Sequence, residues 1–102
     1  MFIRTITYTR PDTTTEWPWM NGNTVIPEVI AYENYVTSAP TPGLITRFRE
    51  DTDNTYTYTL IFESEEAFNA HASTEAQVTM RTAIEEIMVS RNITKTTSSV
   101  LD

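Results

Sequence analysis

The chain contains no cysteine, and only two of its 102 residues, Gly22 and Gly43, are glycines. Without cysteine there can be no disulfide framework, no thiolate metal site and no cysteine nucleophile. Two isolated glycines cannot form a glycine-rich phosphate loop, and no G-x-S-x-G motif is present. We therefore expect neither nucleotide-dependent chemistry nor a serine-hydrolase mechanism.

Positively charged residues are also few. Lys95 is the only lysine, and the chain has seven basic residues against fourteen acidic ones, which gives a net charge of −7. Nucleic-acid binding requires basic residues that displace counterions from phosphates, and an anionic membrane surface attracts the same residues. The composition therefore predicts no nucleic-acid partner and no membrane partner.

Long apolar runs are absent as well, because none approaches the ~20 residues of a membrane span. Phe2 and Ile3 are followed at once by Arg4 and an alternating pattern, without the apolar core of a signal peptide. We expect a cytoplasmic protein. Threonine is abundant while lysine is nearly absent, a composition common in viral (including phage) and marine microbial proteins, from which no mechanism follows.

Two periodicities define the predicted elements. Alternation of β-branched and aromatic residues indicates strands, and apolar residues at helical spacing, such as Val29, Tyr32 and Val36, indicate helices. Pro27 is acceptable only in the first turn of a helix. The predicted order is strand 2–9, loop 13–23, helix 24–36, a break at 38–43, strands 44–50 and 55–63 joined by a polar turn, a helix that Ser64 caps and that breaks and restarts at Ser73-Thr74 before stopping at Asn92, and strand 93–102.

This order, β-α-β-β-α-β, predicts a single α+β domain over residues 1–102 with ferredoxin-like topology. Such a domain has a four-stranded antiparallel sheet with two helices on one face. The other face would expose Ile3, Ile45 and Ile61 together, and a second copy of the chain would cover them. We therefore expect a homodimer.

The segment 58–71, YTLIFESEEAFNAH, carries a resemblance to a known family. It is similar to the dimeric α/β-barrel superfamily, which includes antibiotic-biosynthesis-type monooxygenases and stress-responsive barrel proteins. There a strand runs into an acidic helix start, then an aromatic residue or leucine, then a histidine. The resemblance implies a dimeric α/β barrel of two facing sheets, and a cleft between sheet and helices that in the enzymes holds an aromatic polyketide, a quinol or haem.

The haem-degrading members of that superfamily use an asparagine, a tryptophan and a histidine in set places. Trp17 and Trp19 lie in the wrong element for this set. With one histidine and no cysteine, a haem or zinc site is also difficult to assemble. We expect no cofactor and no metal.

His71, the only histidine, is the candidate catalytic residue, because its ordinary pKa lies near neutrality and suits acid–base work. The alternative is a surface or cleft-edge histidine that is hydrogen-bonded to a carbonyl or to Glu75. Trp17 and Trp19 stand in a polar loop and must cover a core, an interface or a ligand. The candidate ligand-binding residues are Trp17, Trp19, Tyr32, Phe68 and His71.

Two further clusters have structural interpretations. Residues 51–54 suggest a calcium loop, but Tyr56 stands where an EF-hand requires glycine, so we interpret them as a turn. Arg47 and Arg49 project from one face of a strand and either bind an anion or, as we expect, pair with acidic residues.

Two classes of function remain open from the sequence. The first is a protein that binds a small aromatic or apolar ligand in the cleft and is monooxygenase-like at most by resemblance. The second is a non-enzymatic, stress-associated or phage accessory protein. The sequence favours the first slightly, because the loop tryptophans need something to cover.

Overall fold

The computed structural model describes residues 1–38 and 41–102 and confirms the ferredoxin-like α+β fold. The predicted break at 38–43 includes Ala39 and Pro40, which lie outside the described residues. The elements are β1 Phe2–Thr9, β2 Met20–Asn21, β3 Thr24–Val25, α1 Pro27–Ser38, β4 Leu44–Asp51, β5 Thr55–Phe62, α2 Glu65–Ala72, α3 Glu75–Arg91 and β6 Thr94–Leu101.

The main sheet has the strand order β4-β5-β1-β6, and each neighbouring pair is antiparallel. Tyr8 lies opposite Tyr56 and Lys95, so these three side chains share one face of the sheet. The predicted hairpin is confirmed as β4 and β5. A register irregularity lies between Leu44 and Thr46.

The start of the first helix was predicted three residues too early. Thr24–Val25, predicted as helix, forms a short strand instead. It pairs with Met20–Asn21, which was predicted as part of a loop. Gly22, with φ at +65°, turns the chain between these two strands. Helix α1 therefore begins at Pro27, because proline has no amide hydrogen to donate and suits the first helical position.

The second predicted helix is divided in two, as Ser73-Thr74 indicated. The Ser64 hydroxyl accepts a hydrogen bond from the Ala67 amide at 3.1 Å and caps α2. Thr74 begins α3 without a side-chain cap, because its hydroxyl donates to the carbonyl of His71 at 2.8 Å instead. Asn92 ends α3 in the left-handed conformation.

The helices cover one face of the sheet and bury two apolar clusters against it. One cluster contains Phe2, Tyr58, Leu60, Phe62 and Phe68, and the other contains Tyr8, Ile26, Ile84, Met88 and Ile93. On the opposite face, called the open face below, Ile3 pairs with Ile61 and Val100. Exposed apolar side chains on or beside that face include Ile45, Phe48 and Val100.

Within residues 1–38 and 41–102, no helix is long and apolar enough to cross a membrane. The same residues contain no cluster of three or more histidine, aspartate or glutamate side chains that could hold a metal ion.

Candidate ligand cavity

A cavity of about 350 Å³ lies between the sheet and helices α1 and α3. We call it the large cavity. Its volume falls within the range of small-molecule sites, about 300–1,000 Å³. It is lined by Tyr8, Trp19, Val25, Val29, Tyr32, Glu33, Arg49, Tyr56, Tyr58, Met80 and Ile84.

Aromatic rings form one wall of the large cavity. The ring of Trp19 lies 4.4 Å from that of Tyr56 and 5.2 Å from that of Tyr8, centre to centre. Trp17 stacks on Trp19 at 5.6 Å with an interplanar angle of 10°. This wall offers flat apolar surface to a flat ligand.

Two arginines hold the loop that supplies Trp19. One nitrogen of Arg91, at the end of α3, donates to the carbonyls of Trp17 at 2.8 Å and Met20 at 2.9 Å. The guanidinium of Arg10 lies over the Trp17 ring at 4.4 Å and donates to the Thr15 carbonyl at 2.9 Å. The aromatic wall is therefore fixed before any ligand arrives.

A group of three charged side chains lies at the rim of the large cavity, where Glu33 and Arg49 line the cavity and Arg47 lies beside them. Arg47 makes a bidentate pair with the Glu33 carboxylate, at 2.8 and 3.0 Å, and Arg49 pairs with the same carboxylate. The arginines therefore pair with an acidic residue, as expected. Two guanidinium groups share one carboxylate, so the group has a net charge of about +1 in a chain whose total is −7.

The ion pairs shape the protonation of this group. Burial raises the pKa of Glu33, but the hydrogen bond from Arg47 and the charge of Arg49 outweigh it, so the pKa lies below its ordinary value. The hydrogen bond to Glu33 raises the pKa of Arg47. Glu33 and Arg47 are therefore both charged at neutral pH.

His71 lies in the interior, with only 5% of its surface exposed. Its Nε2 is 2.9 Å from the hydroxyl of Tyr32, which is 3.3 Å from the hydroxyl of Tyr58. Arg47 donates to the Tyr58 hydroxyl at 3.2 Å. His71 is therefore buried and bonded to a tyrosine hydroxyl, whereas the alternative interpretation expected a surface or cleft-edge histidine bonded to a carbonyl or to Glu75.

A second, smaller cavity of about 50 Å³ adjoins His71, and both cavities are lined by Tyr32 and Tyr58. Within the described part of the chain, two buried polar atoms of this small cavity have no hydrogen-bond partner. They are Nδ1 of His71 and Oε1 of Gln77.

Burial sets the protonation of the inner groups. Desolvation, with a smaller contribution from Arg47, lowers the pKa of His71, so the ring is neutral at pH 7. Desolvation likewise raises the pKa of Tyr32, and it raises that of Tyr8 to about 12. The tyrosines therefore carry their protons and can both donate and accept hydrogen bonds.

The structure brings four of the five candidate ligand-binding residues to the cavities. Trp19 lines the large cavity, Tyr32 lines both, and Phe68 and His71 line the small one. Trp17 lines neither, because it lies behind Trp19 and supports it.

Sequence reasoning missed Glu33 as part of the site. Tyr58 could be considered as a pocket residue, but because it shares a strand face with Leu60 and Phe62 it was expected in the core or at the dimer interface. The pairing of Arg47 and Arg49 with acidic residues was expected, but neither Glu33 nor the position beside the cavity could be identified. That position depends on the packing of α1 over β4, which the local sequence does not determine.

No family model matches the chain, and no curated protein matches it in sequence. Solved structures do match in fold. A candidate antibiotic biosynthesis monooxygenase from Caulobacter crescentus is similar with a TM-score of 0.66, at 11% identity over 97% of this chain and 87% of that one. SnoaB, a cofactor-independent oxygenase from Streptomyces nogalater, is similar with a TM-score of 0.61, at 14% identity over 99% and 91%.

A third similar structure is a candidate antibiotic biosynthesis monooxygenase from Deinococcus radiodurans, with a TM-score of 0.62 at 11% identity over 100% and 92% of the two chains. At these identities the comparisons establish the fold. The fold they share with this chain is the fold that the resemblance of segment 58–71 implied.

Proposed function

We propose that this chain, which has the ferredoxin-like fold of the antibiotic-biosynthesis-monooxygenase-like proteins, binds a small hydroxylated aromatic molecule in the large cavity. The observation that carries the proposal is the cavity itself. It combines about 350 Å³ of volume with an aromatic wall and one edge of excess positive charge. A flat apolar ring with an acidic oxygen matches both features.

The fit follows from where the two kinds of surface lie. Trp19 and Tyr56 offer ring faces, whereas Arg49 and the hydroxyl of Tyr58 offer hydrogen-bond donors within the same cavity. Arg49 has no acceptor capacity, so its free donors favour an oxygen that carries negative charge. A hydrocarbon would use the ring faces only.

The activity we include in the proposal is a monooxygenase-like reaction on this ligand that needs no bound cofactor. SnoaB, of similar fold, is described as a cofactor-independent oxygenase. The large cavity of the present chain places the tyrosine side chains Tyr8, Tyr32, Tyr56 and Tyr58 along its lining, where hydroxyl groups can exchange protons with a ligand. We extend the monooxygenase-like activity to this chain as part of the proposal.

Calorimetric titration with 4-nitrophenol tests the binding. We expect saturable binding by the wild-type chain. Val29→Phe places a larger side chain in the cavity wall, and we expect it to weaken binding by about tenfold, or about 1.4 kcal/mol. Ile30→Phe is the matched control, because Ile30 is exposed on the same helix and does not line the cavity. Absence of saturable binding, or equal loss in both variants, would contradict the proposal and favour a non-enzymatic role.

The functional unit in this proposal is a homodimer in which two open faces meet. The open face carries partly exposed apolar side chains, including Phe48 and Val100, between rows of threonine. A face of this kind is stable in water when a partner covers it. The second copy would close the barrel on the side of the sheet opposite the large cavity.

A further inference from the structure

A continuous line of polar contacts leads from the large cavity to the buried histidine. It runs from the Tyr58 hydroxyl to the Tyr32 hydroxyl, 3.3 Å away, and then to Nε2 of His71 at 2.9 Å. Tyr58 and Tyr32 line the large cavity, but His71 does not. Any effect of the histidine on a ligand there must pass through the two tyrosines.

At the outer end of this line, the direction of the hydrogen bond between Arg47 and Tyr58 is fixed. Arg47 has only donors, so the oxygen of Tyr58 accepts its N–H at 3.2 Å. The proton of Tyr58 is then free to point in one of two directions, toward Tyr32 or into the large cavity. The 3.3 Å contact is long for hydroxyl groups, and such contacts often tighten when a ligand binds.

Each direction of the Tyr58 proton corresponds to a different tautomer of His71. If Tyr58 donates to Tyr32, then Tyr32 donates to Nε2 and the ring proton is on Nδ1. If Tyr58 donates into the cavity, then Nε2–H donates to Tyr32, which donates to Tyr58, and Nδ1 is bare. The ring is neutral in both arrangements.

We propose that a deprotonated oxygen of the ligand, bound in the large cavity, switches His71 from the Nδ1–H to the Nε2–H tautomer through Tyr58 and Tyr32. This inference rests on the proposed function. The bound anion accepts a hydrogen bond from Tyr58, Tyr58 accepts one from Tyr32, and Tyr32 accepts one from Nε2–H. The ring gives its Nδ1 proton to solvent water and takes one proton from solvent onto Nε2, so no net proton is gained or lost and the histidine stays neutral.

The charges around His71 and around the bound ligand suit this change of tautomer. The charged and titratable groups that face His71 are Tyr32 from α1, Arg47 from β4, Tyr58 from β5, Arg81 from α3, and Tyr8 and Lys95 from β1 and β6. No carboxylate is among the described residues that line the small cavity, so nothing there stabilises a lasting imidazolium. At the other end, the excess positive charge of Arg47 and Arg49 stabilises the ligand anion.

The small cavity has room for a hydrogen-bond partner of Nδ1 of His71. Its volume of about 50 Å³ has room for a water molecule, which needs about 10–15 Å³ by this measure. Such a water would accept from Nδ1–H and donate to Oε1 of Gln77, and both atoms are buried beside it. This pairing favours the Nδ1–H tautomer before an anionic ligand binds.

The experiment uses the fact that His71 is the only histidine. Labelling histidine with nitrogen-15 gives one imidazole, whose protonated and bare nitrogens have well-separated resonances. Spectra are recorded at about pH 8, where 4-nitrophenol is an anion and histidine is neutral, with no ligand, with 4-nitrophenol and with nitrobenzene. We expect the proton to move from Nδ1 to Nε2 with 4-nitrophenolate only.

Variants separate the relay from simple contact. Tyr32→Phe and Tyr58→Phe each remove one hydroxyl, and we expect at least one of them to fold, to bind 4-nitrophenolate and to leave the histidine spectrum unchanged on binding. Tyr35→Phe is the control, because Tyr35 is exposed on the same helix as Tyr32. We expect it to switch like the wild type.

The outcomes distinguish the two proposals. If 4-nitrophenolate binds but the tautomer does not change, or changes equally with nitrobenzene or in both tyrosine variants, the relay is wrong and ligand binding stands. If calorimetry detects no binding of 4-nitrophenol or nitrobenzene, the proposed function fails and the relay fails with it.

Discussion

His71 places a titratable ring where almost no solvent reaches it, and this has a measurable consequence for stability. The unfolded chain titrates its histidine near pH 6.5, whereas burial and Arg47 lower the pKa in the folded state. Between these two values the unfolded chain binds more protons than the folded one. The folded state therefore loses stability as the pH falls below about 6.5.

Comparison with His71→Gln isolates this contribution. Glutamine does not titrate and can still bond to the Tyr32 hydroxyl. We expect the difference in unfolding free energy between wild type and variant to shrink from about pH 7.5 to about pH 5.5, by about 1.4 kcal/mol for each unit of pKa depression. Urea unfolding at several pH values measures it, and a difference independent of pH would contradict the neutral, buried assignment.

Gly43 leaves less freedom for substitution than Gly22 does. Its φ is +77°, and an added Cβ would lie 2.5 Å from the Cβ of Ala67 in α2. Gly22 has a similar φ of +65° but open space around it. We expect Gly43→Ala to cost about 2–4 kcal/mol, from backbone strain and overpacking together, and Gly22→Ala only about 1–2 kcal/mol. Equal losses in urea unfolding would show that the contact with α2 is not tight.

At the scale of elements, helix α1 depends on its neighbours. Its β-branched residues make it a weak helix by itself, and only Tyr32 and Val36 within it are fully buried. The pairs from Glu33 to Arg47 and Arg49 join it to β4. A helix held in this way positions Tyr32 and Val29 at the cavity.

Glu33→Gln tests this attachment. Arg47 loses its charged partner while its side chain remains mostly buried, so we expect a loss of about 1–2 kcal/mol, reduced from the fully buried case because Glu33 is partly exposed. Glu86→Gln, at an exposed position of α3, serves as the control and should change stability by less than about 0.5 kcal/mol. A similar effect of both substitutions in thermal or urea unfolding would rule out the attachment.

The sequence predicted the elements whose patterns are local. The alternation on both sides of residues 51–54 located the β4–β5 hairpin, and Ser64 and Asn92 marked helix ends by their capping preferences. The start of α1 was wrong because Val25 continues the helical spacing that begins at Val29. The pairing of Thr24–Val25 with Met20–Asn21, in a short hairpin that turns at Gly22, excludes these residues from the helix.

The site was harder to predict than the fold, since its contacts span long distances in sequence. Tyr32 and His71 are 39 residues apart, and Arg91 reaches Trp17 across 74. Composition identified His71 and the tryptophans as unusual, but it could not give their partners. Those follow only when the helices are placed over the sheet.

At the scale of the whole molecule, the sheet has two faces with separate roles. The face under the helices carries the two cavities, and the open face carries threonines with exposed apolar side chains among them. Phe48 is 45% exposed and Val100 is 57% exposed. Each would lose much of that exposure against the open face of a second copy.

Light scattering behind a sizing column tests the dimer. We expect the wild-type chain to form a dimer of twice its mass of 11.7 kDa. The double variant Phe48→Glu with Val100→Glu should run at 11.7 kDa, because a dimer would bury the introduced carboxylates without a partner of opposite charge. Ile30→Glu, on the exposed side of α1, should leave the dimer intact. A wild-type mass of 11.7 kDa at all concentrations would contradict the barrel.

The most direct test of the account is a crystal structure of the chain grown with 4-nitrophenol. The account predicts electron density for the ligand in the large cavity, with its ring against Trp19 and its oxygen within hydrogen-bond distance of Arg49 or the Tyr58 hydroxyl. Density for the ligand on the open face, or an empty large cavity beside ligand bound elsewhere, would contradict it.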